Sequence, residues 1–144
     1  MKIMVSACLL GRNCKYNGGN NRSPEVVAYL KDHDAIPVCP EELAGLGIPR
    51  TPVEIVDGVV RDKDGNSVDQ VLRSAVAQIL NQAREEGIQY AILKSRSPTC
   101  GVHQVYDGTF TGTLVEGSGV LAQALKEAGI RVIDAEDLQK GEVL

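Results

Sequence analysis

The chain has no run approaching the roughly 20 consecutive apolar residues that a membrane helix needs, so no membrane-spanning helix is expected. A secretory leader is not expected either. Lys2 is followed by only a few apolar residues before the sequence turns polar, too few for a signal-peptide core, and nothing resembles a cleavage site; a cytoplasmic protein is expected. There is no basic excess. The net charge of −4 and pI near 5.2 argue against an extended nucleic-acid-binding face and favour a small-molecule partner. Tight pairs of metal ligands are absent too, with neither Cys-x-x-Cys nor His-x-x-x-His present. His33 and His103 stand alone, which suits a surface or hydrogen-bonding role better than metal ligation. No repeat, low-complexity segment or linker divides the 144 residues, so residues 1–144 are read as one domain. A domain of that length buries about two thirds of its unfolded surface without disulfides or metals as folding aids. A cofactor here would therefore serve chemistry first.

What is present alternates between strand-like and helix-like segments. Met1 to Ala7 reads as a buried strand, followed by a polar, glycine-rich loop through Gly18-Gly19-Asn20-Asn21. Ser23-Pro24-Glu25 supplies an N-cap, a proline for the first helical position and an acid for the first turn of a helix to about Lys31. Ala35 to Val38 is the second strand, and Cys39 to Leu46 a short helical turn or loop. Asp57-Gly58, between Val53–Val56 and Val59–Arg61, predicts a type I′ hairpin projecting from the core. Ser67 to Glu86 carries apolar residues at helical spacing, with Ser67 and Gln70 as a capping box and Gly87 as terminator. Ile88 to Leu93 is the third core strand; a helix capped by Ser118, a strand from Ile130 to Ile133 and a helical turn from Asp134 to Gln139 complete the chain. This order predicts an α/β fold of three layers, α/β/α, with a mostly parallel, Rossmann-like sheet and a small β-hairpin insertion.

Cys8, Cys39 and Cys100 each fall at or just after a predicted strand end, beside glycine, proline or polar residues, whereas a packing cysteine belongs within a strand or on a helix stripe. In a parallel sheet such ends share one edge, where open α/β sheets bind ligands. Four cysteines allow a disulfide framework by number, yet a cytoplasmic α/β pattern favours metal or catalytic thiols. Spacing leaves two metal readings open. One is a zinc-binding module in which Cys14 offers a fourth thiolate. The other is an iron-sulfur cluster, usually held by four thiolates; with three, one iron keeps an open position and acts as a Lewis acid.

The motifs Ser6-Ala7-Cys8-Leu9-Leu10-Gly11, Cys39-Pro40-Glu41, Lys94-Ser95-Arg96-Ser97-Pro98-Thr99-Cys100-Gly101 and Tyr106-Asp107-Gly108-Thr109-Phe110 resemble the domain of unknown function 523 family, whose characterised members include thiouracil desulfidases. The resemblance covers nearly the whole chain, with several separated motifs in order. It implies a [4Fe-4S] cluster on Cys8, Cys39 and Cys100 with one free iron, and non-redox removal of sulfur from a thiolated pyrimidine nucleobase, the sulfide passing to that iron. The family's catalytic glutamate and serine fall on Glu41 and Ser97. A zinc-binding or sulfide-carrier module without turnover of its own is the alternative.

Overall fold

The computed structural model describes residues 2–139. Eight strands and five α-helices follow one another along them: β1 (Lys2–Ser6), α1 (Pro24–Tyr29), β2 (Asp34–Val38), α2 (Pro40–Leu43), β3 (Val53–Val56), β4 (Val59–Asp62), α3 (Asp69–Glu85), β5 (Tyr90–Leu93), β6 (Gln104–Tyr106), β7 (Leu114–Glu116), α4 (Val120–Glu127), β8 (Arg131–Asp134) and α5 (Ala135–Gln139). Four strands form a parallel sheet in the order β2-β1-β5-β8. Its central strands β1 and β5 are apolar on both faces because both faces are covered. Met4, Ala91 and Leu93 pack with Leu72, Val76 and Ile79 of α3 and with Leu121 and Leu125 of α4. Ile3, Val5, Ile92 and Ile133 pack on the other face with Val26 of α1 and Leu138 of α5. The three-layer α/β/α fold read from the sequence is thus the observed one.

The chain adds β2 on one side of β1 and then β5 and β8 on the other, so the direction of winding reverses between β1 and β5. Such a switch point opens a crevice at the carboxyl ends of the strands. The Lys94 amide donates to Ser6 Oγ at 2.9 Å, tying these two strand ends together.

Local chemistry accounts for most boundaries. Ser23 Oγ accepts from the Val26 amide and Pro24 opens α1, as expected. Asp57 and Gly58 take φ of 50° and 81°, both left-handed as a type I′ turn requires. That hairpin does not project freely: Val60 is fully buried against α3. Two expected caps are corrected. Ser67 pairs as an isolated bridge with Arg61, which delays the start of α3 until Asp69; its hydroxyl accepts from the Asp69 amide and no capping box with Gln70 forms. Ser118 does not cap α4. Its hydroxyl donates to the Val102 carbonyl and accepts from Lys126 Nζ. The first amides of α4 are satisfied elsewhere, Val120 by the Pro98 carbonyl and Leu121 and Ala122 by that of Thr99. Beyond the first hairpin, β6 and β7 form a second, unexpected antiparallel one. Met1, placed in the first strand from sequence, lies outside the described residues.

Candidate active site and thiol cluster

The three cysteines sit beyond three neighbouring strands. Cys39 directly follows β2, Cys8 lies in a 3-10 turn (Ala7–Leu10) after β1, and Cys100 closes the loop after β5. All three line one cavity of about 590 Å³ at the switch point, together with Cys14, Glu41 and Ser97. Tyr106 at the end of β6 and Phe110 in the β6–β7 turn line it as well, so the link expected to lie over the site does so. Glu54 on β3 holds that turn in place by accepting from the amides of Gly108 at 2.9 Å and Phe110 at 3.2 Å.

Burial pushes the Cys100 thiol up to about 12, opposed by hydrogen bonds from the Ser6 and Thr99 side chains. Burial raises Cys8 too, opposed by a hydrogen bond from the Asn21 side chain and the Lys94 charge. Thiols so placed are neutral at physiological pH with nothing bound, and they ionise against a cation in the cavity. Donors already directed at the sulfurs of Cys8 and Cys100 are the hydrogen bonds that metal-bound thiolates use. In its chemistry the donor set therefore fits a thiolate-held metal centre.

Glu41 occupies the first turn of α2, which opens on Pro40 with Cys39 as its N-cap. One oxygen, Oε2, accepts from Arg50 Nη2 at 2.7 Å and Nε at 3.2 Å. Both side chains are well buried, 7% and 16% exposed for Arg50 and Glu41. The other oxygen, Oε1, faces the Thr99 hydroxyl at 3.4 Å. Ser97 Oγ accepts from the amides of Thr99 and Cys100, both at 3.1 Å. A hydroxyl has two lone pairs and one proton. With both lone pairs engaged, Ser97 donates its proton to Thr99 Oγ1, 2.9 Å away, and the Thr99 proton points toward Glu41 Oε1 or Cys100 Sγ. The cavity thus holds a hydroxyl chain from Ser97 through Thr99 to Glu41.

Every site residue expected from the sequence lines this cavity. Arg50 and Thr99 were not foreseen. Arg50 stands in an irregular stretch between prolines with no periodicity to mark it, and Thr99 lay inside a recognised motif without a role. Cys14 is buried and pushed up to about 12 by burial and by the neighbouring Cys39, Cys8 and Glu42. Its sulfur, that of Cys39 and a Glu42 carboxylate oxygen lie within 4.8 Å of one another. His103 is committed to Asp137 at 2.5 Å on the surface. No helix among the described residues is long and apolar enough to cross a membrane.

A doubly wound α/β domain with thiols from three strand ends and a buried carboxylate at its switch point defines the class: a small α/β protein built around a cysteine-lined site. The family model for 2-thiouracil desulfurase matches residues 3–137, and the chain belongs to that family. It is 38% identical to the uncharacterized protein YbbK of Bacillus subtilis (strain 168) over 146 aligned positions, which cover 94% of this chain and 97% of that one. It is also similar to the solved structure of the [4Fe-4S]-dependent thiouracil desulfidase TudS, with a TM-score of 0.90 and 33% identity over 96% of this chain and 93% of the other.

Proposed function

We propose that this protein is an iron-sulfur enzyme that removes sulfur from a thiolated pyrimidine, with Cys8, Cys39 and Cys100 holding a [4Fe-4S] cluster and Glu41 and Ser97 as catalytic residues. The observation that carries the reading is the meeting, in one cavity, of three strand-end thiols with the Ser97–Thr99–Glu41 chain. Family membership and the likeness to TudS support it. When bound there, a cluster with one iron free of protein ligands supplies a soft Lewis acid for the sulfur of the thiocarbonyl.

The chemistry is a substitution without electron transfer: the oxygen of one water replaces the sulfur, which leaves as sulfide, so thiocarbonyl and water become carbonyl and hydrogen sulfide. Glu41 Oε1 takes the proton from the attacking water. Arg50 fixes Oε2, so that only Oε1 is free to face the water and Thr99. The hydroxyl chain then reverses: Ser97 Oγ releases one of its two amide donors, Glu41 gives its proton to Thr99 Oγ1, Thr99 gives its own to Ser97 Oγ, and Ser97 protonates the departing sulfur; the second proton of the water leaves the new carbonyl oxygen through Glu41 and completes the hydrogen sulfide. Lys94, half-buried on the cavity wall and electrostatically close to Cys8, offsets the negative charge gathered there. Tyr106 and Phe110 offer flat surfaces for a planar base.

The test is loading and turnover on protein reconstituted with iron and sulfide without oxygen. Cys8→Ala, Cys39→Ala and Cys100→Ala are each expected to lose the cluster absorption and the acid-labile sulfide, whereas Cys14→Ala keeps both. Parent protein that takes up no iron, or that takes it up without converting thiouracils, would overturn the reading. Thr99→Val, which keeps the shape and removes the hydroxyl, is expected to slow turnover by about 10²-fold, the low end for a positioned proton-transfer group, while Thr99→Ser restores it. Steady-state rates at matched iron content distinguish these outcomes.

A further inference from the structure

We propose that Cys14, Cys39 and Glu42 form a second metal site, for a borderline divalent cation of the zinc class, and that occupancy of this site excludes the iron-sulfur cluster because both draw on Cys39. The site rests on geometry of its own; only the exclusion rests on the cluster reading above.

The local fold brings the three ligands together. Cys39 is the N-cap of α2 and Glu42 its third residue, so both belong to the first turn of one helix. A Glu42 carboxylate oxygen lies within 4.8 Å of the Cys39 sulfur. Cys14 arrives from the loop after β1, buried, with the Cys39 thiol donating to its carbonyl at 3.9 Å. That carbonyl also accepts from buried Arg50 at 2.8 Å, which fixes the loop.

The ligand atoms all lie within 4.8 Å of one another. Two thiolates on one tetrahedral zinc, at about 2.3 Å each, stand roughly 3.8 Å apart, so side-chain adjustments of about an ångström close the site. Two thiolates and one carboxylate suit zinc, with water in the fourth position. Arg12 holds Glu42 through Nε at 3.0 Å and Nη2 at 2.5 Å. Its side chain is 58% exposed, and a pair so open to solvent yields at little cost. Arg12 can thus retain one carboxylate oxygen as an outer partner while the other turns to the ion.

An access route exists. A second cavity of about 390 Å³ is lined by Arg12, Cys39 and Glu42 but not by Cys8 or Cys100. Cys39 lines both cavities. An ion entering by the second cavity meets Cys39 and Glu42 first, and Cys14 closes on it from the main cavity, which that residue lines.

Metal-free protein, prepared without oxygen and titrated with zinc against a chromophoric chelator, tests this. One zinc per chain is expected, lost in Cys14→Ala and Cys39→Ala, bound more weakly by Glu42→Gln, and retained by Cys8→Ala and Cys100→Ala. Circular dichroism checks that each variant is folded. Zinc-loaded parent is then expected to lose most of its cluster uptake on reconstitution, and Cys14→Ala to take up cluster whether or not zinc is added. No bound zinc, zinc that survives Cys14→Ala, or zinc lost with Cys100→Ala overturns the site. Zinc bound there without suppressing cluster uptake overturns the exclusion. Zinc-free parent that takes up no iron overturns the cluster reading and leaves the zinc result standing.

Discussion

Glu41→Gln is expected to lower turnover of a thiolated pyrimidine by about 10²–10⁴-fold, the range for a positioned general base, with iron and sulfide content unchanged. The expectation comes from the two ends of one carboxylate. Arg50 grips Oε2 through two nitrogens, and Oε1 is left facing Thr99. Gln keeps the length and one acceptor oxygen for Arg50, so the side chain stays in place, yet the amide cannot accept the proton of an attacking water. A second effect follows from burial. Removing the anion leaves the Arg50 guanidinium, 7% exposed, without its counter-charge, and losing one partner of such a pair costs about 3 kcal/mol. Melting should therefore shift down by roughly 10 °C for a domain of this size. Single-turnover kinetics at a temperature well below the new midpoint separate the two effects. Turnover within a factor of a few of the parent's would remove Glu41 from the chemistry.

Gly119→Ala is expected to destabilise the fold by about 3 kcal/mol, the upper range for overpacking, and to lose cluster loading along with it. The glycine has an ordinary extended backbone at φ −66°, so conformation is not the constraint. Space is. A Cβ at this position would stand 2.4 Å from the Thr99 carbonyl carbon, 2.5 Å from its oxygen and 2.8 Å from the Cys100 amide nitrogen. These are backbone atoms, which cannot rotate out of the way as a side chain can. The first turn of α4 is also hydrogen-bonded to this loop, through the Gly119 amide to Gly101 and the Val120 and Leu121 amides to Pro98 and Thr99. Pushing the loop away breaks those bonds and moves Cys100. A thermal melt together with iron content checks the expectation; normal values for both would mean that the loop moves freely.

One part of the site was legible in the sequence and another was not, according to whether its signal is local. Ile3-Met4-Val5 and Ala91-Ile92-Leu93 read as strands because helices cover both sheet faces, leaving no polar positions to disguise them; the expected strand from Ile88 begins only at Tyr90, after the exposed Gln89. The stripe of α3 reads as a helix for the same reason, and thiols at strand ends could be placed without knowing any contact. Capping was less legible because it depends on partners distant in sequence. Ser118 has the chemistry of an N-cap, but the carbonyls of Pro98 and Thr99 already satisfy the amides it would have served. Ser67 was captured by strand pairing with Arg61. Strands β6 and β7 are three residues each, too short to show alternation. Arg50 acquires its role only when the loop holding it folds against α2, and nothing in its spacing announces it; Cys14 was a candidate fourth thiolate from the sequence, but its closeness to Cys39 and Glu42 appears only in the fold.

The thiols come from the ends of three adjacent strands, far apart along the chain. Any group that binds all three is therefore a cross-link, closing two long loops at once and withdrawing from the unfolded chain much of the freedom that a disulfide of similar span withdraws. Stability and loading then rise and fall together, with linkage through the free concentration of what is bound. The carboxyl edge of the sheet becomes the part of the molecule most loosened on emptying, and hydrogen exchange there, rather than in the α3 and α4 layer, is where occupancy would be read.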